Sequence, residues 1–151
     1  RPPRSTLDRS SAASDVYKRQ LLPRIKSDLI AAFMACINGT LAQVEIELSS
    51  EAAVCVVMAS GGYPQRYQTG RQIVGLELLP PTGKTTVFHA GTATSQNGDL
   101  ITNGGRVLGV SALGHDIQTA VEHAYRGVSN INFDQAHYRT DIAHRAIERV
   151  K

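Results

Sequence analysis

The residues best suited to chemistry lie in Asn103-Gly104-Gly105-Arg106-Val107-Leu108-Gly109, where two glycines deliver one arginine to the start of an apolar run. Paired glycines let backbone approach a ligand closely and tolerate the positive φ angles of anion-binding nests. A guanidinium beside them suits a phosphate, because its planar fork bonds two oxygens at once. Arg106, Gly104 and Gly105 are therefore candidate anion-binding residues, the alternative being a surface arginine that closes a turn. His89, ahead of Ala90-Gly91-Thr92, is a second candidate with Gly91. Tyr63, in Ser60-Gly61-Gly62-Tyr63-Pro64, is a third, because loops leaving a buried strand often carry ligands. No residue is assigned a catalytic role. Ser111 has no recognisable His or Asp partner motif, and the histidines and cysteines follow no zinc or HExxH spacing, so no metal site is expected.

The formal charge of +3 is confined to one end. Residues 1–20 hold five basic and two acidic side chains, while the other 131 residues hold 11 of each. A neutral body gives no electrostatic footprint for nucleic acid. Cys36 and Cys55 both sit among apolar neighbours and read as buried free thiols of a reducing compartment. No apolar run approaches the roughly 20 residues of a membrane span, and a cytoplasmic location is expected.

These candidates need elements to position them. Residues 1–20 are rich in Arg, Ser and Pro without apolar periodicity, and are expected to be a disordered tail foreign to the domain at 21–151. Ile25, Leu29, Phe33 and Ile37 recur every fourth residue and predict a helix from Pro23 to Asn38-Gly39. Val44–Leu48 alternates like a half-exposed strand, and Ala53–Ala59 is continuous enough for a central one. Thr85–Ala90, Thr92–Ser95, Leu100-Ile101 and Arg106–Leu113 read as further strands, with Asn97-Gly98 as a hairpin turn. Ile117, Ala120, Val121, Ala124 and Val128 mark a helix capped by Asp116, and another helix starts near Thr140. Tyr138, Arg139 and Asp141 read as a local cap and ion-pair cluster. The fold class is α+β, a mainly antiparallel sheet with flanking helices.

Five segments together resemble one family. They are Leu22–Leu29 (LPRIKSDL), Ala53–Pro64 (AVCVVMASGGYP), Val87–Thr92 (VFHAGT), Gly104–Val110 (GGRVLGV) and Tyr138–Ile142 (YRTDI). In this order they are similar to the C-terminal part of phosphoribosylamine–glycine ligases, the glycinamide ribonucleotide synthetases of purine biosynthesis. Ala143 departs from the family pattern, which usually has glycine there.

The resemblance implies an ATP-grasp ligase. ATP would phosphorylate the glycine carboxylate, and the amine of 5-phosphoribosylamine would attack the acyl phosphate, releasing ADP, phosphate and glycinamide ribonucleotide. The nucleotide site and Mg²⁺-binding carboxylates belong to an ATP-grasp core upstream of the resembled segment. Residues 21–151 hold neither a lysine-bearing phosphate loop nor a clustered acidic pair, so a chain binding no cofactor alone, and inactive alone, is expected. Its implied part is the sugar-phosphate end of the cleft, with Arg106 on the 5-phosphate. The other reading is a free-standing module that binds a phosphorylated metabolite or a protein. A domain separated from its core should expose an apolar face around the first helix, and an evolved module should cover that face with polar residues.

Overall fold

Residues 107–112 are buried without interruption, and the fold covers both faces of the strand that carries them. The computed structural model describes residues 17–79 and 83–150, and the side chains of all of these but Val150. The strands are β1 (Ala52–Ala59), β2 (Thr85–His89), β3 (Thr92–Thr94), β4 (Leu100–Thr102) and β5 (Arg106–Gly114); the helices are α1 (Leu29–Ile37), α2 (Ile117–Asn130) and α3 (His144–Val150). β1, β5 and β2 form an antiparallel sheet in that order, and β3 pairs with β4 in a separate hairpin. The class is α+β, as expected, but β5 and not β1 is the central strand. The outer edge of β1 meets residue 137 through an isolated bridge at Ala59.

Register assigns the faces. Val54, Val56 and Met58 lie opposite Ala112, Val110 and Leu108, and this face packs on α2, where Val110 and Thr85 close around Gly127. Ala120, Ala124 and Val128 complete the core, with Ile131 and Phe133 beyond the helix. Each large apolar side chain so buried contributes about 1.5–3 kcal/mol. Cys55, Val57, Gly109 and Ser111 lie on the opposite face. There Ser111 Oγ donates to the Arg19 carbonyl at 2.8 Å, and a Cβ on Gly109 would strike the Arg19 guanidinium. Small residues in the middle of β5 make room for that arginine.

This corrects the expected tail. Residues 17–20 are helical and Arg19 is buried, while the remainder of the tail, 1–16, lies outside the described residues. The first helix also begins later than its periodicity predicts. Residues Leu22–Arg24 form a 3₁₀ turn, and α1 starts behind Asp28, whose carboxylate accepts from Ile30 N–H at 2.8 Å. A capping carboxylate at Asp28 outweighs the start signal of Pro23. Val44–Leu48 is not a strand; its one ladder contact is the bridge from Leu48 to Ile25. Cys55 is buried as expected, but Cys36 is exposed.

The face of α1 is bare. Ile30 is 73% exposed, Phe33 63%, Met34 50% and Ile37 77%, and the helix buries only Ala32 and Ala35. The remaining elements follow the sequence, except that the last helix begins at His144 and not near Thr140. Gly98 has φ +88° in the β3–β4 turn, where Ser95 Oγ accepts from Asp99 N–H at 3.1 Å. Asp116 caps α2 by accepting from Thr119 N–H at 2.7 Å.

α3 begins at His144, after Ala143, which has φ +66°. This left-handed region costs a non-glycine residue about 1–2 kcal/mol. Ala143→Gly is expected to stabilise the chain by about 0.5–1 kcal/mol after the added entropy of glycine in the unfolded state, read as a higher urea midpoint. The cap bonds from Thr119 hold the Asp116 carboxyl below its ordinary value. A lowered folded pKa gives stability that is present above the unfolded pKa and lost as pH falls through the folded one. The gap in thermal midpoint between the parent chain and Asp116→Ala should therefore shrink between about pH 6 and about pH 2.

Candidate functional site

β1 ends at Ala59, and the chain turns there through Ser60 into the Tyr63 loop. Ser60 ties this exit to the Gly104-Gly105 turn: its N–H donates to the Gly105 carbonyl at 2.8 Å and its Oγ to the Gly104 carbonyl at 2.8 Å. On the far side of the turn, Gly91 N–H donates to the Arg106 carbonyl at 2.8 Å and Asn103 N–H to the Gly91 carbonyl at 2.7 Å. The space is too tight for side chains. A Cβ on Gly91 would lie 2.7 Å from both Gly104 Cα and the Arg106 carbonyl oxygen, and one on Gly105 would strike the Tyr63 ring. Neither Gly104 nor Gly105 has a positive φ. The expected left-handed nest is therefore not built; these glycines serve close approach.

The turn aims Arg106 through a slip in register. Met58 pairs with Leu108 but Ala59 pairs with Arg106, so Val107 has no partner of its own on β1. A bulge of this kind re-aims a side chain. Arg106 joins Val57 and Ala59 on one face, and with Tyr63, Pro64, His137, Tyr138 and Arg139 they line a cavity of about 320 Å³. Tyr63 stands edge-on to Tyr67, ring centroids 6.0 Å apart, and the Tyr63–Pro64 peptide is cis.

Of the candidates from sequence, Arg106 and Tyr63 line this cavity, and Gly105 lies against the Tyr63 ring. Gly104 and Gly91 shape the turn behind it. His89 lies elsewhere. It is in register with Leu108 and so with Met58, on the face opposite Val57, exposed, with its Nδ1 3.2 Å from Thr92 Oγ1. Position at a strand end gave no information about which face it occupies.

The sequence reading missed His137 and the cavity role of Tyr138 and Arg139. The ladder bonds of His137 to Ala59, at 2.7 and 2.9 Å, bring this segment to the end of β1, and one isolated bridge leaves no periodicity to read. The ion pair itself is as expected. Arg139 Nε and Nη2 donate to the two Asp141 oxygens at 2.8 and 2.6 Å. These bonds hold the Asp141 carboxyl below its ordinary value and keep the guanidinium above its own. Two arginines with a histidine and two tyrosines make a wall suited to an anion.

Residues 53–145 match the family described as phosphoribosylglycinamide synthetase, C domain. The chain belongs to this family. Among its relatives, a phosphoribosylamine–glycine ligase of Synechocystis is 46% identical over 88% of the chain and 32% of that protein. The trifunctional purine biosynthetic protein adenosine-3 of Gallus gallus is 48% identical over 84% of the chain and 13% of its own length. A crystal structure of phosphoribosylamine–glycine ligase from Thermotoga maritima superposes with a TM-score of 0.57 at 31% identity, covering 73% of the chain and 27% of that protein. The chain thus spans about a third or less of the length of these relatives. Among the described residues no group of three or more His, Cys, Asp or Glu is placed to hold a metal ion. No described helix is long and apolar enough to cross a membrane.

Because backbone atoms face Gly91, its neighbours cannot simply rotate away. Gly91→Ala is expected to cost about 1–3 kcal/mol, measured by urea unfolding; an unchanged midpoint would show that the turn has room to spare.

Proposed function

We propose that this C domain forms the sugar-phosphate end of the substrate cleft in an ATP-dependent ligase that joins glycine to 5-phosphoribosylamine. The observation carrying this reading is Arg106, turned by a bulge onto a cavity shared with Tyr63, in a chain of this family. Arg106 bonds the 5-phosphate, and the Tyr63 ring walls the sugar. Gly104, Gly105 and Gly91 hold the turn that aims the guanidinium. ATP, Mg²⁺ and glycine bind outside the described residues, on an ATP-grasp core. There ADP and an acyl phosphate form before the amine attacks. Exclusion of water protects that acyl phosphate, which requires the core and the C domain together. The chain alone is therefore inactive, and the complete enzyme works in the cytoplasm.

The exposed apolar face of α1, with Ile30, Phe33 and Ile37, supports docking against such a core. It weighs against a free-standing module, which would have polar residues there.

In the complete ligase carrying this domain, Arg106→Ala should raise KM for phosphoribosylamine about tenfold or more, as expected for loss of a charge-assisted bond to a phosphate. KM for ATP should stay within about twofold. Equal rises for both substrates, or none, would overturn the assignment, and a thermal melt identifies any variant that fails to fold.

A further inference from the structure

Arg139 does more at this cavity than a surface ion pair requires. Its side chain is 69% exposed and that of Asp141 58%, and pairs so solvated add little to stability. Yet the pair is held from both sides. Tyr125, on α2, donates its hydroxyl to the Arg139 carbonyl at 2.7 Å, and the same oxygen accepts from Ile142 N–H at 3.1 Å. Tyr125 also packs on Tyr138, ring centroids 6.4 Å apart. The core helix thus fixes the backbone on each side of the pair, and Asp141 fixes the guanidinium. That carboxylate engages Nε and Nη2, leaving three of the five guanidinium N–H donors outside the pair. Arg139 and Arg106 both line the cavity, one brought by the bridge at Ala59 and the other by β5.

We propose that Arg139, oriented by Asp141 and braced by Tyr125, is a second ligand of the substrate's phosphate monoester, alongside Arg106. This rests on the reading that the cavity takes the sugar phosphate. A phosphate monoester carries close to two negative charges and three acceptor oxygens at neutral pH, enough for two guanidinium forks. Asp141 is the positioning residue. It aligns the fork, and without Arg139 it would present an uncompensated carboxylate to the phosphate.

The test uses the complete ligase, with ribose 5-phosphate as a competitive inhibitor. Arg139→Ala should raise both KM for phosphoribosylamine and Ki for ribose 5-phosphate about tenfold or more, with KM for ATP within about twofold. Arg139→Lys, which keeps the charge but not the fork, should fall between. The double variant Arg139→Ala/Asp141→Ala should recover part of the loss, because the repelling carboxylate is gone. A pair that merely braces the segment behaves differently: single and double variants match, and the KM values for both substrates move together. That result overturns the proposal. If Arg106→Ala raises KM for phosphoribosylamine and Arg139→Ala does not, this inference fails while the sugar-phosphate reading stands. If neither does, the reading of the cavity fails and takes the second ligand with it.

Discussion

Strict alternation along β5 would place Arg106 with Leu108 and Val110, on the face where α2 packs. One residue prevents this. Val107 has no counterpart on β1 and is fully buried, and Arg106 consequently shares a face with Val57 and Ala59. The bulge cannot drift along the strand, because Ser60 holds the Gly104 and Gly105 carbonyls on one side and Gly91 holds the Arg106 carbonyl on the other. The glycines serve this arrangement by letting backbones meet, and the anion-binding capacity comes from where the bulge falls.

What could be read from sequence was what local chemistry decides. Asn97-Gly98 makes its turn with neighbours only, Asp116 caps its own helix, and β5 is apolar because both its faces are covered. Arg106 and Tyr63 were legible for a related reason: each lies within a few residues of glycines that mark a tight loop beside a strand end. His89 met the same criterion but lies on the other face, since its face depends on register with β5. Arg139 and His137 were illegible as cavity residues, because one bridge to Ala59 brings them there and their local pattern describes only the Arg139–Asp141 pair.

The errors around α1 have a different origin. Ile25, Leu29, Phe33 and Ile37 repeat as a buried helical face should, and Val44–Leu48 alternates as a packed strand should. Both patterns ordinarily report burial against something. Within the described residues Phe33, Ile37, Ile46 and Leu48 stay exposed, so here the apolar pattern occurs without the burial that such a pattern usually reports. A hydrophobic pattern gives the element's apolar face but not what, if anything, packs on it.

The two surfaces therefore separate by chemistry. The exposed face of α1 is apolar, whereas the cavity beside Arg106 is lined by two arginines and is cationic. Contacts of the second kind bind a phosphate equally in ground and transition states, and uniform binding alone does not accelerate a chemical step. In the proposed ligase such a domain aids the reaction by position: a sugar phosphate fixed at one end presents its amine at a set distance, and orientation alone lowers a bimolecular barrier substantially. The gain depends on a rigid link between the anion grip and the rest of the cleft. A charged side chain on a flexible loop would bind the phosphate but forfeit that gain. The bulge, Ser60 and Gly91 fix Arg106 to the central strand, and Tyr125 fixes the Arg139 backbone to α2, so both guanidiniums are anchored to the hydrophobic core.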